Sequence, residues 1–261
     1  MRTLIAIAAA AVLTACGGGG GSSSPPPPPP PTNAAVDGIW VSSYTNSAGN
    51  AADSIVLATA DGSYFSIGVD TVTQCQGIGY GTLGSSGNNL TLAGSVVLIP
   101  CTFADGTNTA TLSGSGTISA GASISLTTLT LTSSMSNSYP ADWVSKSMTL
   151  DPVYGEASSF AKVAGTYTVP GAGGTVVGTL TVAVDGTFMY GPDTTGCSAS
   201  GSLSIIDANH AIMGFTGDFV GCGDLGAGMN GDAVLVDTVS PAEFIAIFKN
   251  STAVGVVAAT E

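Results

Sequence analysis

Few residues in this 261-residue chain could do chemistry, and the cysteines say the most. Cys75, Cys101, Cys197 and Cys222 fall in the body of the chain as two pairs of nearly equal spacing. Cys16 stands alone between an apolar run and a stretch of glycine, serine and proline. A thiol can ligate a metal, attack an electrophile or form a disulfide. Zinc needs converging ligands at short spacings, and the chain has no C-x-x-C and a single histidine, His210. The pairs suit disulfides better. If each joins the two arms of a hairpin, the midpoint must be the turn. For Cys75 and Cys101 the midpoint falls in Gly87-Asn88-Asn89, and for Cys197 and Cys222 beside Asp207-Ala208-Asn209. Facing residues on antiparallel neighbours lie within disulfide reach. Cross-pairing between the halves leaves two other connectivities, against which the symmetry of the pairs argues. Each bridge should stabilise by roughly 3 to 4 kcal/mol on the chain-entropy argument, and both imply an oxidising compartment.

The remaining candidates are weaker. A Ser-His-Asp system would have to use His210, but no G-x-S-x-G elbow occurs and His210 directly follows the Asn209 turn, where a solvated side chain is expected. Asp218, Asp224, Asp232 and Asp237 are close in sequence among glycines, yet their spacing fits no calcium-binding EF-hand. Paired carboxylates for glycoside hydrolysis are conceivable. However, 14 aspartates against three glutamates, mostly beside Gly, Asn or Ser, read as turn formers. The expectation is therefore a protein that is not an enzyme and has neither a metal nor another cofactor.

Short strands must hold these residues. Charged residues make up only 8% of the chain and hydrophobic ones 44%, and abundant Gly, Ser, Thr and Val favour strands joined by tight turns. Seventeen acids oppose four bases, a formal charge of -13, and no arginine follows residue 16. Nucleic acid and anionic lipid surfaces both demand Lys and Arg, so neither is an expected partner.

Beyond residue 36 the chain repeats one plan. "GIWVSSY", "LATADGSYFSI", Cys75 and Cys101 are matched by "GTYTVP", "VAVDGTFMYG", Cys197 and Cys222, with offsets that drift only from 127 to 121 residues. Apolar residues alternate with polar ones, as at Phe65, Ile67 and Val69 or Leu180, Val182 and Val184. Asp61-Gly62 and Asp185-Gly186 interrupt such runs where a hairpin turn needs positive φ. About eight strands per copy are expected, so the fold class is all-β: two tandem small antiparallel up-and-down barrels, each with one hairpin disulfide. The divisions are a signal peptide over 1–15, a lipidated cysteine and linker over 16–35, repeat 1 over 36–151, a connector over 152–163 and repeat 2 over 164–261. Trp40, Tyr64, Phe65, Tyr167, Phe188 and Tyr190 should line or fill the barrels. Trp143, outside the repeat, is a possible contact residue.

The amino-terminal stretch has Arg2, then "LIAIAAAAVL", too short to span a membrane and of export-signal length. Leu13-Thr14-Ala15-Cys16 resembles the lipobox of bacterial lipoproteins: an aliphatic residue, a small residue, Ala or Gly, then the cysteine that becomes the acylated mature amino terminus. The resemblance implies a diacylglycerol on the Cys16 sulfur and a fatty acyl chain such as palmitate on its amine. Two or three chains hold a protein to a membrane essentially for good. Gly17 to Ser24 would form a flexible coil, and Pro25 to Pro31 a polyproline II rod of about 20 Å. Gly17 after the cysteine is compatible with delivery to the outer membrane of a Gram-negative bacterium.

"GIW" and "GTY", each followed by a Val/Leu strand and "DGSY" or "DGTF", are similar to the start of calycin barrels such as the avidins and bacterial lipocalin-like domains. Tyr167 stands where that family has tryptophan, and no ligand-contact motif matches. The likeness implies a barrel mouth that binds a small hydrophobic ligand. The functional expectation is a membrane-anchored, non-catalytic binding or structural module of the cell envelope with an unknown envelope protein as partner. The alternatives are a carrier of a small hydrophobic ligand, or an inhibitor or adhesin working through protein contact.

Overall fold

The computed structural model describes residues 36–46, 48–119, 123–139, 146–170, 176–237 and 241–261. Two closed eight-stranded antiparallel barrels lie within one compact unit, Thr32–Glu261. In barrel 1 the strands β1 (Gly38–Thr45), β2 (Ala51–Ala58), β3 (Ser63–Asp70), β4 (Gln76–Ser86), β5 (Asn89–Ile99), β6 (Thr109–Ser119) and β7 (Ser123–Ser133) follow one another round the wall. The eighth place is shared by β8 (Ser138–Tyr139) and β9 (Ser147–Leu150), which pair with opposite ends of β7. The wall closes where Trp40 and Val41 face Leu150 and Thr149.

Pro152–Gly155, a 3-10 turn, and α1 (Phe160–Val163) connect the barrels. Barrel 2 comprises β10 (Gly165–Pro170), β11 (Val176–Val182), β12 (Thr187–Tyr190), β13 (Ser198–Ile205), β14 (Met213–Val220), β15 (Met229–Val236), β16 (Glu243–Lys249) and β17 (Val254–Thr260). Among the described residues its closing seam shows the pair Thr168 opposite Thr260.

The repeat is visible atom by atom. Trp40 Nε1 donates to the Val36 carbonyl at 3.0 Å, and Tyr167 Oη donates to the Val163 carbonyl at 2.8 Å. In each copy an interior aromatic of the first strand thus ties down the residue four positions before it. Both valines belong to the interior clusters. The β2–β3 and β11–β12 turns use Gly62 at φ +83° and Gly186 at φ +84°, a left-handed conformation that glycine adopts at little cost. Asp61 and Asp185 do not themselves have positive φ. Instead their carboxylates accept from the residue two ahead: Ser63 N at 2.9 Å and Oγ at 2.7 Å, and Thr187 N at 2.9 Å and Oγ1 at 2.7 Å.

Cys75 is bonded to Cys101 and Cys197 to Cys222, with Cα separations of 5.7 and 4.5 Å. Each bridge clips the open end of a hairpin just beyond the last ladder pairs, Gln76 with Ile99 and Ser198 with Val220.

Both interiors are filled. Barrel 1 encloses Trp40, Tyr64, Leu90, Leu112, Ile124 and Leu131. Barrel 2 encloses a chain of stacked rings, with Phe215 centred 4.7 Å from Phe188 and 4.9 Å from Phe248, and Phe219 4.7 Å from Phe248. Phe65 departs from the expectation for its group. In β3 the side chains of Tyr64, Ser66 and Asp70 are the buried set, while Phe65, with Ile67, packs into a third cluster made from the outer walls of both barrels. That cluster joins Ile39, Leu57 and Ile78 of barrel 1 to Val234, Ile245 and Ile247 of barrel 2, with Val153 of the connector among them. An apolar face of β3 turned away from its own barrel is thereby removed from water.

Candidate functional site: the groove between the barrels

Two cavities are lined by residues of both barrels. One, of about 870 Å3, separates the disulfide end of β4 and β5 from the Asn250–Ala253 turn. The other, of about 1430 Å3, is larger than the roughly 300–1,000 Å3 of common small-molecule sites. Its barrel 1 side carries Val41, Ile55, Ile67 and Val69 together with Ser42, Ser43, Asp53, Ser54, Thr71 and Gln74. The other side is formed by Pro170, Ile245, Val256 and Ala258, and at the barrel 2 seam the cavity reaches Val169, Val257, Leu225, Tyr190, Phe219 and Phe248, which belong to or pack against the interior of that barrel. Val169 and Pro170 of β10 and Val257 and Ala258 of β17 flank the barrel 2 seam, so the groove runs along that seam.

Among the described residues two charged side chains line this groove, and both are acids. Asp53 accepts from Ser43 Oγ at 2.6 Å. Glu243 is partly buried, and burial raises its carboxyl pKa above the ordinary value. Its carboxylate has no hydrogen bond or ion pair among the described residues. Two lysines are engaged elsewhere: Lys162 pairs with Glu156 and, at 3.3 Å, with Asp237, and Lys249 Nζ sits 4.9 Å from the centre of the Tyr80 ring, linking the barrels.

His210 is built into the connector contact. Its ring stacks on Tyr154, centroids 4.2 Å apart and planes 8° from parallel, and its Nδ1 lies 3.1 Å from Asp207 Oδ2. Tyr154 Oη in turn donates to Asp37. Nearby Ser158 Oγ donates to the main-chain carbonyl of Asp207, at 3.0 Å, so it is oriented by backbone and not by an imidazole.

The four clustered aspartates disperse. Asp218 accepts from Gly228 N at 2.8 Å, Asp237 meets Lys162, Asp224 lies in a turn, and Asp232 is 6% exposed with Oδ2 buried and without a partner among the described residues. Burial, and secondarily the charge of Asp61, push the Asp232 carboxyl up to about 7. Among the described residues no group of three or more His, Cys, Asp or Glu is arranged to hold a metal ion. Cys16 and Trp143 lie outside the described residues.

Compared with protein-family models, curated proteins and solved structures, the chain gives no significant match.

The groove was not among the sequence expectations, although the chain carried two signs of it. β3 is apolar on its outward face, and β16, "EFIAIFK", is apolar on both faces, as a strand covered on both sides must be.

Proposed function

We propose that this protein is an exported lipoprotein, held to the outer membrane through acylated Cys16, whose paired barrels act as a non-catalytic binding module with the inter-barrel groove as the binding surface. The filling of both barrels carries this reading. A ligand inside barrel 1 would have to displace Trp40 and its neighbours, and one inside barrel 2 the Phe188–Phe215–Phe248 stack, whereas the groove is open and lined by apolar side chains. The eight-strand meander and the aromatic anchor of each first strand fit the calycin resemblance. The binding place differs from the mouth that such barrels would use. The glycine, serine and proline stretch suits a tether that lets the pair of barrels stand off a membrane.

Two experiments test this. Photo-crosslinking in the native envelope, with p-benzoylphenylalanine replacing Val169 in the groove or Met189 on the outer wall of barrel 2, should give a discrete adduct at Val169 alone. Equal labelling at both, or none at either, would overturn the groove as binding surface. Intact mass of the native protein should show an amino terminus at Cys16 carrying diacylglycerol and a fatty acyl group, and an unmodified terminus would overturn the tether.

A further inference from the structure

We infer that the inter-barrel groove selects amphiphiles with an aliphatic tail and a positively charged head, an inference that rests on the groove being the binding surface. Ile245 and Val256 of barrel 2 and Val41, Ile55 and Ile67 of barrel 1 offer an apolar bed, while Ser42, Ser43 and Thr71 of barrel 1 add hydroxyls together with the Asp53 carboxylate. A tail buries its surface against the first and a polar head meets the second.

Charge sets the sign of the head. Among the described residues Asp53 and Glu243 are the charged members of the lining, which includes no Lys, Arg or His. Glu243 is partly buried and unpartnered among the described residues, a position in which a carboxylate loses hydration without gaining a counter-charge. A bound ammonium supplies that counter-charge. An anionic amphiphile would meet two carboxylates uncompensated. The net charge of -13 draws cations toward the molecule before contact. A peptide bearing Lys or Arg shares part of this chemistry and is separated from an amphiphile by adduct mass.

Calorimetric titration tests the inference on the full-length Cys16→Ser chain, which retains every residue of the barrels. The probes are decyltrimethylammonium, decanoate and decanol, each below its micellar concentration. The cation should bind one to one and at least about tenfold more tightly than decanoate. Glu243→Gln and, independently, Asp53→Asn should each weaken the cation by about five- to tenfold, the scale of one partly screened ion pair, and leave decanol unchanged. Thermal melts of both variants confirm folding, and either folded variant suffices. Decanoate binding as tightly as the cation, indifference of the cation to both substitutions, or no binding of the cation overturns the inference. A discrete adduct at residue 169 that proves to be a polypeptide or an anionic lipid leaves the groove standing and removes the cationic amphiphile.

Discussion

At the scale of single residues, hydrogen-bond satisfaction separates positions that look alike in sequence. Tyr64 and Tyr167 are both buried barrel aromatics, but Tyr167 Oη reaches the Val163 carbonyl while Tyr64 Oη is buried without a partner among the described residues. Removing a satisfied buried hydroxyl costs about 1 kcal/mol, whereas removing an unsatisfied one costs nothing or stabilises. Chemical denaturation should therefore show Tyr167→Phe less stable by about that amount and Tyr64→Phe equal to or more stable than the parent. The reverse order would contradict the interior hydrogen bonding. Asp232 makes a second residue-level prediction. Its carboxyl is raised from 3.8 to about 7 by burial and by Asp61, so between about pH 4 and 7 the folded chain keeps a proton that the unfolded chain releases. Stability from this group falls as pH rises through that window and is flat above it. Asp61 acts oppositely. Hydrogen bonds from Thr59 and Ser63 hold it down to about 2, so its contribution is present above pH 4 and is lost only in strong acid. Asp232→Asn should leave the melting temperature at pH 4.5 nearly unchanged and raise it at pH 7.5 by about 4 °C or more. An equal offset at both pH values would show that Asp232 does not titrate in this range.

At the scale of elements, the hairpins were the most legible feature of the sequence because their constraints are local. A midpoint between two cysteines had to be a turn, and Gly87-Asn88 joins β4 to β5 as that argument requires. Reduction should add four protons to the intact mass. The Cys75→Ser, Cys101→Ser double variant should lose roughly 3 kcal/mol, measured by denaturant unfolding, for a loop of 26 residues; an unchanged midpoint would contradict a stabilising bridge. The direction in which a strand turns its apolar face was less legible. Alternation in β3 fixes that Phe65, Ile67 and Val69 share a side, but not that the side is the outer one, because the choice depends on a neighbouring barrel far along the chain. The fates of Asp218, Asp232 and Asp237 were hidden for the same reason: one meets a backbone amide, one a barrel interface and one a lysine of the connector.

At the scale of the whole molecule, two similar barrels share a third apolar core, so they should not behave as independent beads. Ile247 is fully buried in that shared core. Placing a charge there with Ile247→Asp should lower hydrogen-exchange protection in β2 to β4 of barrel 1 as well as in barrel 2, since a buried unpaired charge is strongly destabilising. Loss confined to barrel 2 would show that the interface contributes little. The same apposition creates the groove, which belongs to neither repeat and so has no motif within either. Its location can be read directly from methyl spectra of the Cys16→Ser chain with and without decanol, a neutral apolar probe. The methyl groups of Val41, Ile55, Ile67, Ile245 and Val256 should shift while those of Leu90, Leu112 and Ile124, inside barrel 1, and Leu203, inside barrel 2, stay fixed. Shifts of the interior methyls with the groove unmoved would place the binding site inside a barrel and contradict the account.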